Sequence, residues 1–411
     1  MMKGLMRSRI SWIVCLLLSL TVIAKATGQI QVIFGGNVDS TPNPTPGCNA
    51  PNSAVTEVSA SAVSVSSFVT ATSTFLGINS SGTAGTAKKS TNNGVTWTSL
   101  LGSITTASGV ATLASGRVVV YDHATCVDNA LPCQVEYSDN YSVWSTANVD
   151  GTGINGPHFA SAYTGQGPLV CSGTTCFATY LNGTITAGMK IDISTDSAAT
   201  WTRFWDDNSP HAMSDDTLVY YDGLNLIATT DGNWDNNVGC PPAMTCKADS
   251  ARVVVSNNNG ASFTPVFLET ELGGIPTTPT GTVFNSTFYA TVSSTNGFHF
   301  YHAPTSAPGV WLQTTPVFSP AIIGALAPPW TIASFNTNSN LMYFIGGDLA
   351  DNLYVYTSTD GTHFTQLFTQ QYLSVRTPGN VVINNTSPPT CPVFFGVLQQ
   401  GDATYHYYKI T

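Results

Sequence analysis

The stretch Ser90-Thr91-Asn92-Asn93-Gly94-Val95-Thr96-Trp97 decides the fold, because its pattern returns along the chain. It reads Ser-x-Asp/Asn-x-Gly-x-x-aromatic, and a short β-prone segment stands on each side of it. Asp or Asn accepts backbone N–H bonds inside such a turn, and Gly supplies a positive φ. The aromatic ring then packs over the hairpin. The stretch therefore predicts a tight β-hairpin that is repeated.

Further copies follow it. Ser194 to Trp201 is full length with Ala at the Gly position, and Ser256 to Phe263 is also full length. The copies from Ser138 to Trp144 and from Ser358 to Phe364 are shortened, and a degenerate copy precedes Trp311. The aromatic residues recur roughly every 50 residues, a spacing typical of four-stranded propeller blades with loop insertions. The residues given a structural turn role are Ser90, Asn92, Gly94, Trp97, Ser138, Asp139, Trp144, Ser194, Asp196, Trp201, Ser256, Asn258, Gly260, Phe263, Ser358, Asp360, Gly361 and Phe364.

These copies resemble the Asp-box (BNR) repeat of sialidases, sortilin-type receptors and several lectins. The resemblance extends from residue 90 to residue 364. It implies a β-propeller of the sialidase-like superfamily. In that family the boxes lie on the outer two strands of each blade, on the face opposite the ligand site. The box residues are accordingly expected to stabilise the scaffold.

The strand pattern around the copies predicts an all-β chain, with residues 27–411 forming one propeller domain. Six blades are expected at 64–100, 107–146, 158–205, 216–268, 280–314 and 330–368. Three strands follow at 380–383, 393–398 and 404–410, and we expect 29–34 to supply the fourth. Seven blades closed by both chain ends would leave no open sheet edge. A six-bladed propeller is the alternative. Residues 37–53 form a Pro-rich, extended linker within the domain.

The N-terminus predicts export. Lys3, Arg7 and Arg9 precede an apolar run from 10 to 23, and Ala24-Lys25-Ala26 offers a cleavage site, so residues 1–26 are expected to be a signal peptide. The run is too short for a membrane span, which needs roughly 20 apolar residues. We therefore expect a secreted, extracellular protein.

Composition limits the partners of such a protein. The net charge is −10, and only 9% of residues are charged. Losing the basic leader makes the remaining chain more acidic, so nucleic acid and anionic lipid are disfavoured as partners. Sequons for glycosylation are a further extracellular sign, at Asn79, Asn140, Asn182, Asn285, Asn384 and Asn385.

Eight cysteines follow the leader, an even count that indicates disulfides in an exported chain. Three pairs are close in sequence, namely Cys126 with Cys133, Cys171 with Cys176, and Cys240 with Cys246. Their local pairing leaves Cys48 with Cys391, which would join the two ends of the domain. Zinc is disfavoured because no C-x2-C pair occurs.

Loops on the face opposite the boxes are rich in acids and aromatic residues. The candidate ligand-binding residues are Trp205, Asp206, Asp207, His211, Asp215, Asp216, Trp234, Asp235, Asp122 and His123. Sugars stack on aromatic rings and bond to Asp and Asn, so this set predicts glycan binding. The plainer alternative is that these residues only form turns. No cofactor is expected, apart from a calcium alternative at Asp206, Asp207, Asp215 and Asp216.

Sialidase activity requires more than the resemblance to the fold. The family resemblance implies an arginine triad, an Arg-Ile-Pro motif, a Tyr–Glu pair and an Asp acid. The chain has no Arg-Ile-Pro, and after the leader its arginines are Arg117, Arg203, Arg252 and Arg376. No catalytic residue is assigned. We expect a module that binds an extracellular glycan or protein, with a sialidase-like glycoside hydrolase as the alternative.

Overall fold

The structure is a computed structural model, and it describes the residue ranges given at the end of this paragraph. All elements in this part of the chain are strands, and no helix in it could span a membrane. The described ranges are 50–61, 63–69, 74–80, 85–92, 94–100, 107–113, 115–122, 134–149, 169–181, 189–206, 215–233, 249–271, 280–294, 297–322, 326–335, 341–348, 350, 352–371, 376–383, 393–399 and 404–411.

The strands form seven blades of an all-β propeller, as the spacing of the turns predicts. One strand, β1 (Val55–Ser61), precedes the first blade. Blade 1 contains β2 (Ser64–Val69), β3 (Thr74–Ser80), β4 (Gly85–Ser90) and β5 (Thr98–Ser99). Blade 2 contains β6 (Ala107–Thr112), β7 (Val118–Asp122), β8 (Gln134–Ser138) and β9 (Ser145–Asn148). Blade 3 contains β10 (Leu169–Ser172), β11 (Thr175–Leu181), β12 (Met189–Ser194) and β13 (Thr202–Asp206).

The second half continues in the same way. Blade 4 contains β14 (Asp215–Tyr221), β15 (Leu226–Asn233), β16 (Asp249–Ser256) and β17 (Thr264–Glu271), and blade 5 contains β18 (Thr280–Phe284), β19 (Thr287–Ser294), β20 (Gly297–Pro304) and β21 (Leu312–Thr314). The short β22 (Val317–Ser319) adds a parallel strand to the outer edge of blade 6, which contains β23 (Leu326–Phe335), β24 (Leu341–Asp348), β25 (Asn352–Ser358) and β26 (His363–Gln371). Blade 7 contains β27 (Arg376–Ile383), β28 (Val393–Gln399) and β29 (Thr404–Ile410).

The hydrophobic core lies between the blades. In β7 the side chains of Val118 and Val120 pack toward blade 1, whereas those of Val119 and Tyr121 pack toward blade 3. Successive side chains of a strand point to opposite faces, so a run of β-branched and aromatic residues fills both interfaces at once. The blades are thereby stacked face to face by apolar burial.

The inner strands close a complete ring. Each one contacts the next, in the order β2, β6, β10, β14, β18, β23 and β27, and β27 contacts β2 again. Blade 7 obtains its fourth strand from β1, which pairs antiparallel with β29. The prediction that 29–34 supplies this strand is therefore wrong, although closure by the two chain ends is correct. The closing strand directly precedes β2, so it reaches β29 without a long connection.

Several contacts anchor the closing segment. Ser53 and Ala54 donate their amides to Thr411 O at 3.0 and 3.1 Å. Glu57 accepts from Tyr408 at 3.2 Å and lies 2.5 Å from His406 Nδ1. The buried hydroxyl of Tyr343 in blade 6 donates to Pro51 O at 2.7 Å. The end of the Pro-rich segment thus contacts blade 6 as well as blade 7.

Alternating strand directions separate the two faces of the propeller. We call the face with the repeated turns (91–97, 139–144, 195–201, 257–263 and 359–362) the turn face. The opposite face, where each inner strand begins and each outer strand ends, is the rim face.

One predicted disulfide is confirmed. Cys171 in β10 lies opposite Cys176 in β11 and is bonded to it. The other three predicted pairs fall outside the described ranges and stay predictions; they are Cys126 with Cys133, Cys240 with Cys246, and Cys48 with Cys391. The expected signal peptide and most of the Pro-rich linker lie outside those ranges too.

Candidate functional site

The first repeated turn is held by hydrogen bonds within eight residues. Ser90 Oγ donates to Asn92 Oδ1 at 2.9 Å, and the Gly94 amide donates to Ser90 Oγ at 2.9 Å. Asn92 Oδ1 also accepts the Thr96 amide at 2.9 Å. Trp97 Nε1 donates to Gly94 O at 2.9 Å and so ties the ring to the turn. The turns that begin at Ser194 and Ser256 repeat the three bonds of the Ser and Asx side chains.

The turn of blade 6 is one residue shorter but uses the same groups. Asp360 Oδ1 accepts the amides of Thr362 and His363 at 2.8 and 2.7 Å, while Ser358 Oγ accepts the Gly361 amide at 2.8 Å. Burial alone would raise the pKa of Asp360, but the N–H donors of His363 and Thr362 outweigh it and hold this pKa well below its usual range. The carboxylate is therefore committed to stabilising the turn.

The turn of blade 2 differs from the sequence assignment. Asn140, one residue after Asp139, accepts from Ser138 Oγ and from the amides of Ser142 and Val143. Asp139 makes none of these turn bonds, because the accepting residue stands two positions after the serine in every copy, and after Ser138 that residue is Asn140. Asp139 instead forms a two-bond ion pair with Arg117, at 2.7 and 2.8 Å.

Arg117 connects two blades on the turn face. Its third contact is from Nη1 to Ser197 O in the turn of blade 3, at 2.9 Å, and its guanidinium lies 4.7 Å from the ring centroid of Tyr137. The hydrogen bond from Arg117 lowers the pKa of Asp139. Arg117 is therefore fully engaged on the face opposite the rim.

The other arginines occupy different levels of the propeller. Arg252 is buried within β16, whereas Arg376 is the first residue of the inner strand β27 and so begins at the rim face. Arg203 lies in the outer strand β13. Arg117 and Arg376 thus lie on opposite faces of the propeller, about one strand length apart.

The candidate ligand residues that lie in described strands all map to the rim face. Asp122 ends β7, Trp205 and Asp206 end β13, and Asp215 and Asp216 begin β14. The last two pairs belong to adjacent blades and lie on either side of the link between blades 3 and 4. Asp207, His211, Trp234, Asp235 and His123 fall outside the described ranges.

The register of blade 4 adds three acidic residues to this end. Asp215 pairs with Asp231 across β14 and β15, and Asp249 pairs with Glu271 across β16 and β17. Asp231, Asp249 and Glu271 are not among the predicted site residues, because adjacency across strands depends on register. Their common signal in the sequence is an acid at the rim end of an apolar β-segment. Blade 4 therefore has two acidic pairs at its rim end, Asp215 with Asp231 and Asp249 with Glu271, offset from each other by two residues because Asp231 itself pairs with Ala251.

No group of three or more His, Cys, Asp or Glu residues suited to a metal is found within the described ranges. The calcium alternative includes Asp207, which lies beyond them, and it stays a prediction.

Comparison with known proteins identifies the fold. No family model matches the chain, and no curated protein matches it. A GH74 xyloglucanase from Xanthomonas campestris matches with a TM-score of 0.52 at 13% identity, over 84% of this chain and 53% of that one. A PL25 ulvan lyase matches with a TM-score of 0.52 at 9% identity, over 85% and 95%. A Trypanosoma rangeli sialidase bound to the inhibitor DANA has a TM-score of 0.41 at 10% identity, over 77% and 56%.

The chain spans about half the length of the xyloglucanase and of the sialidase. At these identities the first two likenesses show the β-propeller fold and nothing beyond it.

Proposed function

We propose that this protein is a secreted Asp-box β-propeller that binds an extracellular glycan or protein through its rim face. One observation carries the proposal: strand direction brings Asp122, Trp205, Asp206, Asp215 and Asp216 to the face opposite the repeated turns. Carboxylates beside an aromatic residue suit sugar hydroxyls and the apolar face of a sugar ring. The xyloglucanase and the ulvan lyase, to which the chain is similar in fold, both act on polysaccharides, and this guides the choice of ligands to test.

The arginine arrangement supports binding over sialidase chemistry. A triad that grips a carboxylate needs its guanidinium groups at one point. Arg117 is engaged with Asp139 and Ser197 on the turn face, and Arg252 is buried within β16. Arg117 and Arg252 are therefore not available to form a carboxylate-binding triad with Arg376, which lies at the rim end of β27.

Hydrolysis of a neutral glycan is the second candidate, favoured by the register of blade 4. Residues directly opposite in an antiparallel pair have Cβ atoms about 4.5–5.5 Å apart. Retaining glycosidases use two carboxyl groups about 5–5.5 Å apart. Asp215 and Asp231 are opposite each other in this way.

A glycan array separates binding from the absence of binding. Asp206→Asn on the rim face should reduce the array signal at least tenfold. Asp196→Asn is the matched control on the turn face, because Asn already fills the equivalent place at Asn92 and Asn258. Equal signals from both variants would contradict a rim site.

Turnover is tested in the same experiment. Release of dye from fluorogenic sialosides and from fluorogenic β-glucosides should be absent for a binding module. Turnover abolished by Asp215→Asn or Asp231→Asn would favour the hydrolase instead. Export has its own check, since N-terminal sequencing of the secreted protein should begin near Thr27.

A further inference from the structure

A polar crevice opens on the turn face between blades 4 and 5, away from the rim. Its volume is about 570 Å³, within the range that holds a drug-sized ligand. Four turns build it: the β14–β15 and β18–β19 hairpins and the turns after β16 and β20. The lining residues are Asp222, Leu224, Asn225, Asn257, Val283, Asn285, Ser286, Thr305 and Ser306.

The walls of this crevice are held in place before any ligand arrives. Asp222 Oδ1 accepts the amides of Leu224 and Asn225 at 2.9 and 2.7 Å, and Asp222 Oδ2 accepts Asn225 Nδ2 at 3.0 Å. Asn257 Nδ2 donates to Thr305 O at 2.7 Å, which joins blade 4 to blade 5 across the crevice. A preformed pocket avoids the cost of ordering its walls on binding.

The unoccupied polar groups of the crevice favour a neutral, hydroxyl-rich ligand. Within the described part of the chain, no hydrogen-bond partner is found for Oδ1 of Asn225 and Asn257 or for Oγ of Ser286 and Ser306. Amide oxygens accept, and hydroxyls both donate and accept, which matches the hydroxyl groups of a sugar. No Lys or Arg is among the described residues that line the crevice, so they offer no charge partner to an anionic ligand.

An apolar wall and a two-residue hairpin loop complete the crevice. Leu224 is 55% exposed and, together with Val283, offers a surface for the apolar face of a sugar ring. Asn285 and Ser286 have φ values of 48° and 56°. Serine at such a position is strained where glycine would not be. Positive φ at both positions is the favoured geometry of a two-residue hairpin loop, here the β18–β19 loop between Phe284 and Thr287, and this loop places Ser286 in the crevice wall.

We propose that this crevice is a second carbohydrate-binding site, which accepts a neutral disaccharide-sized ligand on the turn face. It does not depend on the rim site, because the two lie on opposite faces of the propeller.

Calorimetric titration with cellobiose, maltose and lactose tests the proposal. At least one of them should bind with a Kd below roughly 10 mM, and Ser306→Tyr should weaken that Kd at least tenfold by filling the crevice. Ser145→Tyr, at an exposed serine of β9, should leave it unchanged. The protein is made in a host without N-glycosylation, since Asn285-Ser286-Thr287 is a sequon. Absence of binding by all three sugars, or equal Kd values for the two tyrosine variants, would overturn the proposal.

Ser286→Gly distinguishes a ligand site from a structural gap. It should raise the melting temperature by relieving the strained φ, yet weaken the sugar Kd several-fold by removing the hydroxyl. Ser197→Gly is the matched control, because Ser197 has a φ of 65° on the same face but lies outside the crevice. It should raise the melting temperature without changing the Kd. A Ser286→Gly variant that gains stability and binds sugar as well as the wild type would also overturn the proposal.

Discussion

Replacing Gly361 with alanine should destabilise the propeller considerably more than the same change at Gly173. Both glycines have a positive φ, 77° and 62°, so both variants incur the strain of a left-handed residue, about 1–2 kcal/mol. A Cβ at Gly173 would meet nothing within 4 Å. A Cβ at Gly361 would lie 2.6 Å from Tyr289 Cζ in blade 5 and would overlap the Tyr289 hydroxyl.

Tyr289 has little freedom to move away from the new methyl group. It is 5% exposed, and the rings of Phe300 and His302 lie 5.6 and 6.1 Å from its ring, centroid to centroid. Overpacking of this kind costs about 1–3 kcal/mol. Gly361→Ala should therefore lower the free energy of unfolding by about 2–5 kcal/mol in total.

Urea unfolding followed by tryptophan fluorescence measures the difference. The two variants should differ by about 1–3 kcal/mol, with m values unchanged. Adding Tyr289→Leu to each variant should remove most of the difference, because the ring atoms that clash are gone. Equal destabilisation, within about 0.5 kcal/mol, would refute the idea that the turn of blade 6 packs tightly against blade 5.

Arg117→Met should lower the free energy of unfolding by about 1–2 kcal/mol, because the bond from Arg117 to blade 3 is lost. Asp139→Asn should lower it by under about 1 kcal/mol, because Asp139 is mostly exposed. Urea titration of the two variants measures both values, and the reverse order would contradict this reasoning. The folded pKa of Asp360 is below its unfolded value of about 3.9, so its stabilisation is complete above that pH and is lost as pH falls through the folded pKa. The melting temperature of Asp360→Asn should accordingly fall less than that of the wild type between about pH 5 and about pH 2, and parallel curves would exclude the effect. Tyr343→Phe should cost about 1–2 kcal/mol by leaving Pro51 O without its buried donor, and an unchanged thermal melt would show that this anchor is dispensable.

Prediction from the sequence was most accurate where the determining contacts are local. The bonds around Ser90, Ser194 and Ser256 each lie within one eight-residue turn, so residue type and spacing predict them. The Cys171–Cys176 disulfide has the same character, since it spans one hairpin. The assignment of Asp139 to the turn of blade 2 was wrong although the contacts are local, because the spacing shared by the other copies puts the accepting residue two positions after Ser138, at Asn140.

For the candidate rim site, the sequence predicted which residue types lie at which strand ends. It did not predict which residues are neighbours on adjacent strands. Asp231, Asp249 and Glu271 lie opposite other acidic residues only through register. A one-residue slip in register would move a side chain to the other face of a sheet. Both pairs lie in hairpins closed by short turns, but a register shift near Leu218 in the first and near Ala251 in the second offsets the pairing, and no local pattern in the sequence marks these shifts.

The sequence by itself determined the repeated turns, the aromatic residue that closes each one, and hence a propeller with a turn face and a rim face. Tertiary structure alone decided which segment closes the ring, since the pairing of β1 with β29 joins residues more than 300 positions apart. It also decided that Arg117 links blades 2 and 3 on the turn face. The physical reason is the same in both cases: turn hydrogen bonds depend on neighbours along the chain, whereas ring closure and contacts between blades depend on how the blades pack.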